Sequence, residues 1–207
     1  MKRLPINPLA LAAAGWLAAV VAVMAILLVY SASPGPTGKI PERWPAGSGI
    51  AFDPSRSNLV LFAHPRCPCT RATLGELEIL MAQSKGRLNA QVWFIKPAEA
   101  AEDWTDTALW RKAAAIPGVS VHRDEGMAEA ARFGAGTSGQ TLVYGHDGRL
   151  LFHGGITLSR GHSGDNAGRS AALASLDHTL SRGLETPVFG CPLFAAECGE
   201  GEVACKP

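Results

Sequence analysis

Residues 59–80, "LVLFAHPRCPCTRATLGELEIL", decide how this chain is built. The stretch opens on the end of a continuous apolar run, "NLVLFA" (58–63). A short unbroken run of that kind suits a strand buried on both faces. From Pro68 the periodicity changes. Leu74, Leu77, Leu80 and Met81 fall on one stripe of a helix that Gly86 can stop. Between the two lies Arg66-Cys67-Pro68-Cys69, two thiols separated by one proline where a strand hands over to a helix. What those thiols do depends on their compartment.

The 207-residue chain carries 19 basic and 18 acidic side chains, so it offers no broad electrostatic attraction to nucleic acid. Lys2 and Arg3 precede "LALAAAGWLAAVVAVMAILLVY" (9–30), and the next charge is Lys39. About 21 apolar residues rise roughly 31 Å, enough for a bilayer core. The basic flank predicts a cytoplasmic N-terminus, with everything after Tyr30 exported from the inner membrane. A cleaved signal peptide is the rival. It would have a shorter apolar region, and "VYSASPGP" offers only Val29-Tyr30-Ser31 as a cleavage match. Residues 31–57 hold five prolines, four glycines and five serines, the composition of a spacer. Trp44 and Phe52 are candidates to dock back as a short arm. The domain proper is expected over residues 58–184, with a cysteine-bearing tail over 185–207.

Beyond the first strand and helix, "LNAQVWFI" (88–95) predicts a strand and "DTALWRKAAAI" (106–116) a helix. "VSVH" (119–122) predicts a strand and "DEGMAEAARFG" (124–134) a helix. "QTLVYGHDGRLLFHGG" (140–155) predicts a hairpin turning at Asp147-Gly148, and residues 165–183 a last helix ended by Gly183. The order is β-α-β, an α-β-α insertion, then β-β-α. Right-handed crossovers make the first two strands parallel neighbours, and the hairpin extends the same sheet antiparallel. This order, with a cysteine where the first strand meets the first helix, resembles the thioredoxin fold. The inserted segment resembles the TlpA-like branch of membrane-anchored periplasmic thiol-disulfide proteins. "FAHPRCPCTRATLGEL", "GGITLSRGHSGDNAG" and "VFGCPL" are similar to the RedB-like group of that superfamily. The resemblance implies a three-layer α/β/α domain around a mixed five-stranded sheet, preceded by a transmembrane helix.

By that resemblance Cys67 matches the family's nucleophile at a helix N-terminus, where free N–H groups and the helix dipole favour thiolate. Thr70 stands where the second cysteine of a C-x-x-C pattern would be, so Cys69 or another thiol must resolve. Cysteines two apart can bridge, and the small strained ring makes such a bond easily reduced. Pro68 suits the first helical position, while Arg66 and His64 (with Pro65 between them) are expected to add positive charge near the sulfur. Family members also carry a cis-proline before the fourth strand, packed against the cysteines. Gly139 stands there, which predicts a mobile backbone and an open pocket above Cys67. An open pocket favours a second reading, a module binding Cu(I) or another soft metal through Cys67 and Cys69 with His64 or Cys191.

If the fold holds, the fifth strand returns to the cysteine rim, and Arg160, His162 and Asp165 border Cys67. His162 would then be a general acid–base, or Arg160 a stabiliser of thiolate; the plain alternative is a solvated loop with Asp165 capping the last helix. The other histidines lack metal-like spacing, no phosphate loop is present, and C-x-x-C-H is absent. The tail, "LETPVFGCPLFAAECGEGEVACKP", brings the cysteines to five. One partition pairs Cys67 with Cys69 and Cys198 with Cys205, leaving Cys191 to attack a mixed disulfide; another pairs Cys191 with Cys198. Three functions follow: a thiol–disulfide oxidoreductase acting on exported protein disulfides or dithiols and served by a membrane or periplasmic thiol reductant; a copper-delivery module; or an interaction domain with structural cysteines.

Overall fold

The computed structural model describes residues 8–177 and 183–194. Two compact units divide the chain at Ser33 and Pro34. In the first, α1 (Pro8–Ala32) runs 25 residues with none buried. It is long and apolar enough to cross a membrane.

In the second unit, β1 (Ser57–Ala63) is buried along its whole length. It pairs in parallel with β2 (Leu88–Lys96) and antiparallel with β4 (Gln140–Tyr144). β3 (Val119–Glu125) adds in parallel outside β2. β5 (Leu150–Gly154) adds antiparallel outside β4. A two-residue strand, β6 (Leu184–Glu185), lies parallel to β5. The sheet order is β3-β2-β1-β4-β5-β6. This is the thioredoxin-like mixed sheet, with six strands rather than the expected five. Two residues carry no periodic signal, so β6 could not be seen in sequence; it covers part of an otherwise open edge.

Alternation along β1 sorts the core into two layers, as the two-residue strand period requires. Leu59, Leu61 and Ala63 join a cluster with Leu74, Leu77 and Leu80 of α2 (Pro68–Ser84). Leu109 and Ala113 of α3 (Ala108–Ala114) and Ala172 of α5 (Ala167–Ala174) complete that side. Val60 and Phe62 face the other way, toward Ala130 of α4 (Ala128–Arg132) and Phe133. Helices therefore cover both faces.

Several boundaries move for identifiable reasons. α2 closes through Lys85 in the left-handed region (φ 51°), one residue before the expected Gly86. Asp124 belongs to β3 rather than to a helix; its buried carboxylate accepts from the N–H groups of Glu129 and Ala130 and so caps α4. The hairpin turn spans Gly145 to Arg149, with Gly148 at φ 76°. The expected last helix contributes α5 and a 3₁₀ turn at Ser175–Asp177, and residues 178–182 lie outside the described residues.

Residues 34–56 do not hang free as a spacer. Gly35 N–H donates to Val188 O, Gly38 N–H to Gly134 O, and Trp44 N–H to Gly148 O. Tyr144 Oη donates to Pro41 O at 3.1 Å. Trp44 packs its ring against Phe52, Phe133 and Tyr144 at 5.0–5.3 Å. Proline and glycine keep this segment from forming elements of its own, but they leave its backbone groups available to bond the domain.

Candidate functional site

Cys67 is the N-cap of α2, with extended backbone (φ −82°, ψ 122°), and Pro68 follows at the first helical position. Pro68 lacks an N–H, which is no loss at a position whose N–H has no helical partner. Cys67 N–H donates to His64 O at 3.2 Å and Thr70 N–H to Cys67 O at 3.1 Å, so the sulfur stands at the helix tip in a closed turn.

Thr70, where the resemblance would place a second thiol, is a buried brace. Its hydroxyl donates to His64 O at 3.2 Å and shares a 3.0 Å contact with Ser138 Oγ. Ser138 Oγ also accepts from His64 N–H at 2.9 Å. Ser138 had no signal in sequence, because it acts through a neighbour 74 positions away. Gly139 takes φ +92°, and its N–H donates to Phe62 O. A Cβ there would meet Thr73 Oγ1 at 3.0 Å.

The pocket expected above Cys67 is closed. The tail residues Gly190–Leu193 run antiparallel to Gly136–Ser138: Ser138 N–H donates to Cys191 O at 2.8 Å, and Leu193 N–H to Gly136 O at 2.9 Å. Cys191 Sγ thereby sits 2.7 Å from Cys67 Sγ, 124 positions away in the chain. Cys67 is only 1 % exposed. Cys67, Cys69 and Cys191 are all free thiols, and Cys198 and Cys205 lie outside the described residues.

The thiols differ sharply in acidity. A hydrogen bond from the Cys191 thiol pulls Cys67 down to about 5 against burial, helped by backbone N–H groups of Cys191, Cys69 and Thr70. An unperturbed cysteine titrates near ~8.5. Cys191 moves up, chiefly because it donates to Cys67 and then because it is buried. Burial, followed by the charge on Cys67, raises Cys69. One sulfur is therefore a thiolate at neutral pH and its two neighbours are protonated.

The cations expected around Cys67 are arranged differently. Burial lowers the His64 pKa and favours neutral imidazole; Nδ1 accepts from Arg66 N–H at 3.1 Å. The Arg66 guanidinium lies 4.2 Å from the ring centre of Trp104. Arg160 supplies positive charge instead, lowering both Cys69 and Cys191 and donating to Gly190 O. His162 is exposed, and its Nδ1 contacts Ser159 Oγ and Arg160 O within its own loop. The last helix is capped by Asn166, which accepts from Arg169 N–H, and not by Asp165, which pairs with Arg169. Sequence reasoning also missed Glu76. Fully buried on α2, it accepts from Gly164 N–H, Asn166 Nδ2 and Arg169 Nη1, and so ties the Arg160 loop to the helix that carries Cys67.

Among the described residues, no group of three or more His, Cys, Asp or Glu is disposed to hold a metal ion.

No protein-family model matches the sequence, and no curated protein matches it. Solved structures share its fold. A hypothetical protein from Sinorhizobium meliloti is 20% identical with a TM-score of 0.56, covering 77% of this chain and 93% of its own. An uncharacterized conserved protein from Geobacillus kaustophilus is 14% identical with a TM-score of 0.55, covering 81% and 95%. A secreted Mycobacterium tuberculosis disulfide oxidoreductase homologous to Escherichia coli DsbE overlaps at a TM-score of 0.41 and 11% identity, over 60% of this chain and 82% of its own.

Proposed function

We propose that this chain is a membrane-anchored, extracytoplasmic thiol–disulfide oxidoreductase with Cys67 as its nucleophile. In this reading α1 is the anchor, its N-terminus is cytoplasmic, and the bonded domain lies in the periplasm or outside the cell. The functional model is the TlpA-like branch, and within it the RedB-like group, that the sequence resembles.

One observation carries the proposal: Cys67 stands at a helix tip with a second thiol, Cys191, 2.7 Å away. Thiolate is the reacting species in disulfide exchange, and a second thiol within reach makes a mixed disulfide transient. In the reductive direction the Cys67 thiolate attacks one sulfur of a substrate disulfide. A new sulfur–sulfur bond forms, the substrate bond breaks, and the departing thiolate takes a proton from solvent. A second cysteine then attacks Cys67 and loses its proton, releasing the other substrate sulfur as a thiol. The substrate gains two electrons and the protein becomes the disulfide. An external dithiol returns those electrons, and the oxidative direction reverses each step.

The test is insulin reduction by the full-length protein in detergent or nanodiscs, with a small dithiol as electron source. Cys67→Ser is expected to lower the rate by a factor on the order of 10³ or more. Wild-type turnover no faster than the dithiol alone overturns the reading.

A further inference from the structure

We propose that Cys191, rather than Cys69, is the thiol that resolves the mixed disulfide, and that the extended segment Gly190–Leu193 is a moving part that lifts to admit substrate and reseats to deliver it. This rests on the oxidoreductase reading and names the second sulfur and its carrier.

Three observations converge. The first is helical geometry. Cys69 lies inside α2, one residue beyond Pro68, while Cys67 is its extended N-cap; the Cys69 thiol also hydrogen-bonds Cys67, but its backbone is fixed by the first helical turn. Drawing Cys69 onto Cys67 would unwind the first turn and strain the Thr70 N–H to Cys67 O bond. Cys191 is already within 2.7 Å and demands no change in α2.

The second is access. Cys67 is 1 % exposed, so no protein disulfide reaches it while the tail is seated. The tail is held by the two backbone bonds to Gly136 and Ser138, by Arg160 on Gly190 O and by the buried side chain of Leu193 in the second core layer, a local set of restraints that can open without the rest of the domain. Its seat is closely shaped: a Cβ on Gly190 would lie 2.0 Å from Ser138 O. Once the tail lifts, Gly136 O and Ser138 N–H are left unpaired beside Cys67, an edge that an extended cysteine-bearing substrate peptide can bond in the same manner.

The third is charge. Cys191 is held protonated first by its bond to the Cys67 thiolate. When Cys67 is bonded to substrate sulfur it carries no charge, and that restraint ends. The Arg160 charge, which lowers Cys191, remains. When the tail reseats on a mixed disulfide, the attacking thiol therefore no longer faces the Cys67 charge that holds its proton in the resting protein. Cys191 then attacks Cys67 Sγ, the Cys67–substrate bond breaks, and the substrate thiolate takes up the proton that Cys191 gives to solvent. The product is a Cys67–Cys191 disulfide that locks the tail down until an external dithiol reduces it.

The full-length protein in nanodiscs is oxidised by a two-fold excess of glutathione disulfide, digested under acid and mapped by mass spectrometry. A Cys67–Cys191 peptide is expected as the main product. Mixed disulfides formed when the reduced protein attacks intact, disulfide-bonded insulin are followed in Cys69→Ser, Cys191→Ser and Gly190→Ala. Cys191→Ser is expected to lengthen their lifetime by at least ~100-fold, because an intramolecular attack is lost; Cys69→Ser is expected to leave it nearly unchanged. Gly190→Ala, which keeps all three thiols but displaces the segment, falls between. In amide hydrogen exchange, Ser138 and Leu193 are expected to be protected more strongly in the oxidised protein than in the reduced one. A dominant Cys67–Cys69 or Cys191–Cys198 peptide, or mixed disulfides that persist only in Cys69→Ser, overturns the proposal. The disulfide map reads out even if insulin is not turned over, so failure of the oxidoreductase reading is told apart from failure of this one.

Discussion

At the scale of single residues, the decisive quantity is the proton affinity of Cys67. With its value lowered to about 5, the rate of iodoacetamide alkylation at Cys67 is expected to rise through a midpoint near that pH rather than near ~8.5. The tail cover sets the plateau but not the midpoint. Stability follows the same shift. A group whose folded value is depressed stabilises the fold fully above its unfolded value, and this is lost as pH falls through the folded one. The melting temperature of the reduced protein, relative to Cys67→Ser, is therefore expected to climb between about pH 5 and pH 9 and to be flat below. An unchanged difference across that window contradicts the assignment. The position of Cys67 was readable in sequence because it depends on neighbours: an apolar strand, a proline and a helical stripe. Its hydrogen-bond donor, Cys191, entered the sequence reading only as one of several partitions of the tail cysteines, since nothing local ties it to a residue 124 positions earlier. His64 and Arg66 misled for the related reason that proximity along a chain fixes neither burial nor direction.

Among the elements, the loop after β5 shows how a site residue is held from behind. Glu76 on α2 accepts three hydrogen bonds from the 164–169 segment and is fully buried. Removing one partner of a buried ion pair leaves the other uncompensated, so Glu76→Ala is expected to cost about 3–5 kcal/mol in chemical denaturation. Glu76→Leu combined with Arg169→Leu should recover only part of that, because Gly164 N–H and Asn166 Nδ2 also lose their acceptor. A loss under about 1 kcal/mol for Glu76→Ala would show the network to be incidental. Strands and helices with a strong period were evident in the sequence. β6 and the Asp124 cap were not, since one is two residues long and the other depends on a carboxylate turning across an element boundary.

Over the whole molecule, α1 buries none of its residues, and the sheet domain begins bonding at Gly35. Deleting residues 1–33 is expected to give a domain that stays soluble without detergent and melts within ~2 °C of the full chain. A drop of more than ~8 °C, the equivalent of several kcal/mol for a domain this size, would mean that α1 supports the fold. The Pro/Gly-rich segment after it looked like a tether because composition reports whether a stretch can build its own core. Composition is silent on whether a stretch can bond a core built by others, as Gly35, Gly38 and Trp44 do.

The separation of 124 positions between the two sulfurs in contact also has a consequence in time. A ribosome working at ~5–20 residues per second needs roughly 6–25 s to go from the first of these cysteines to the second. Through that interval the emerging polypeptide carries an unsheltered thiol with neither its proton-donating neighbour nor its covering segment. Maturation is therefore the chain's most oxidant-sensitive period, and the arrival of the segment that bears Cys191 ends it.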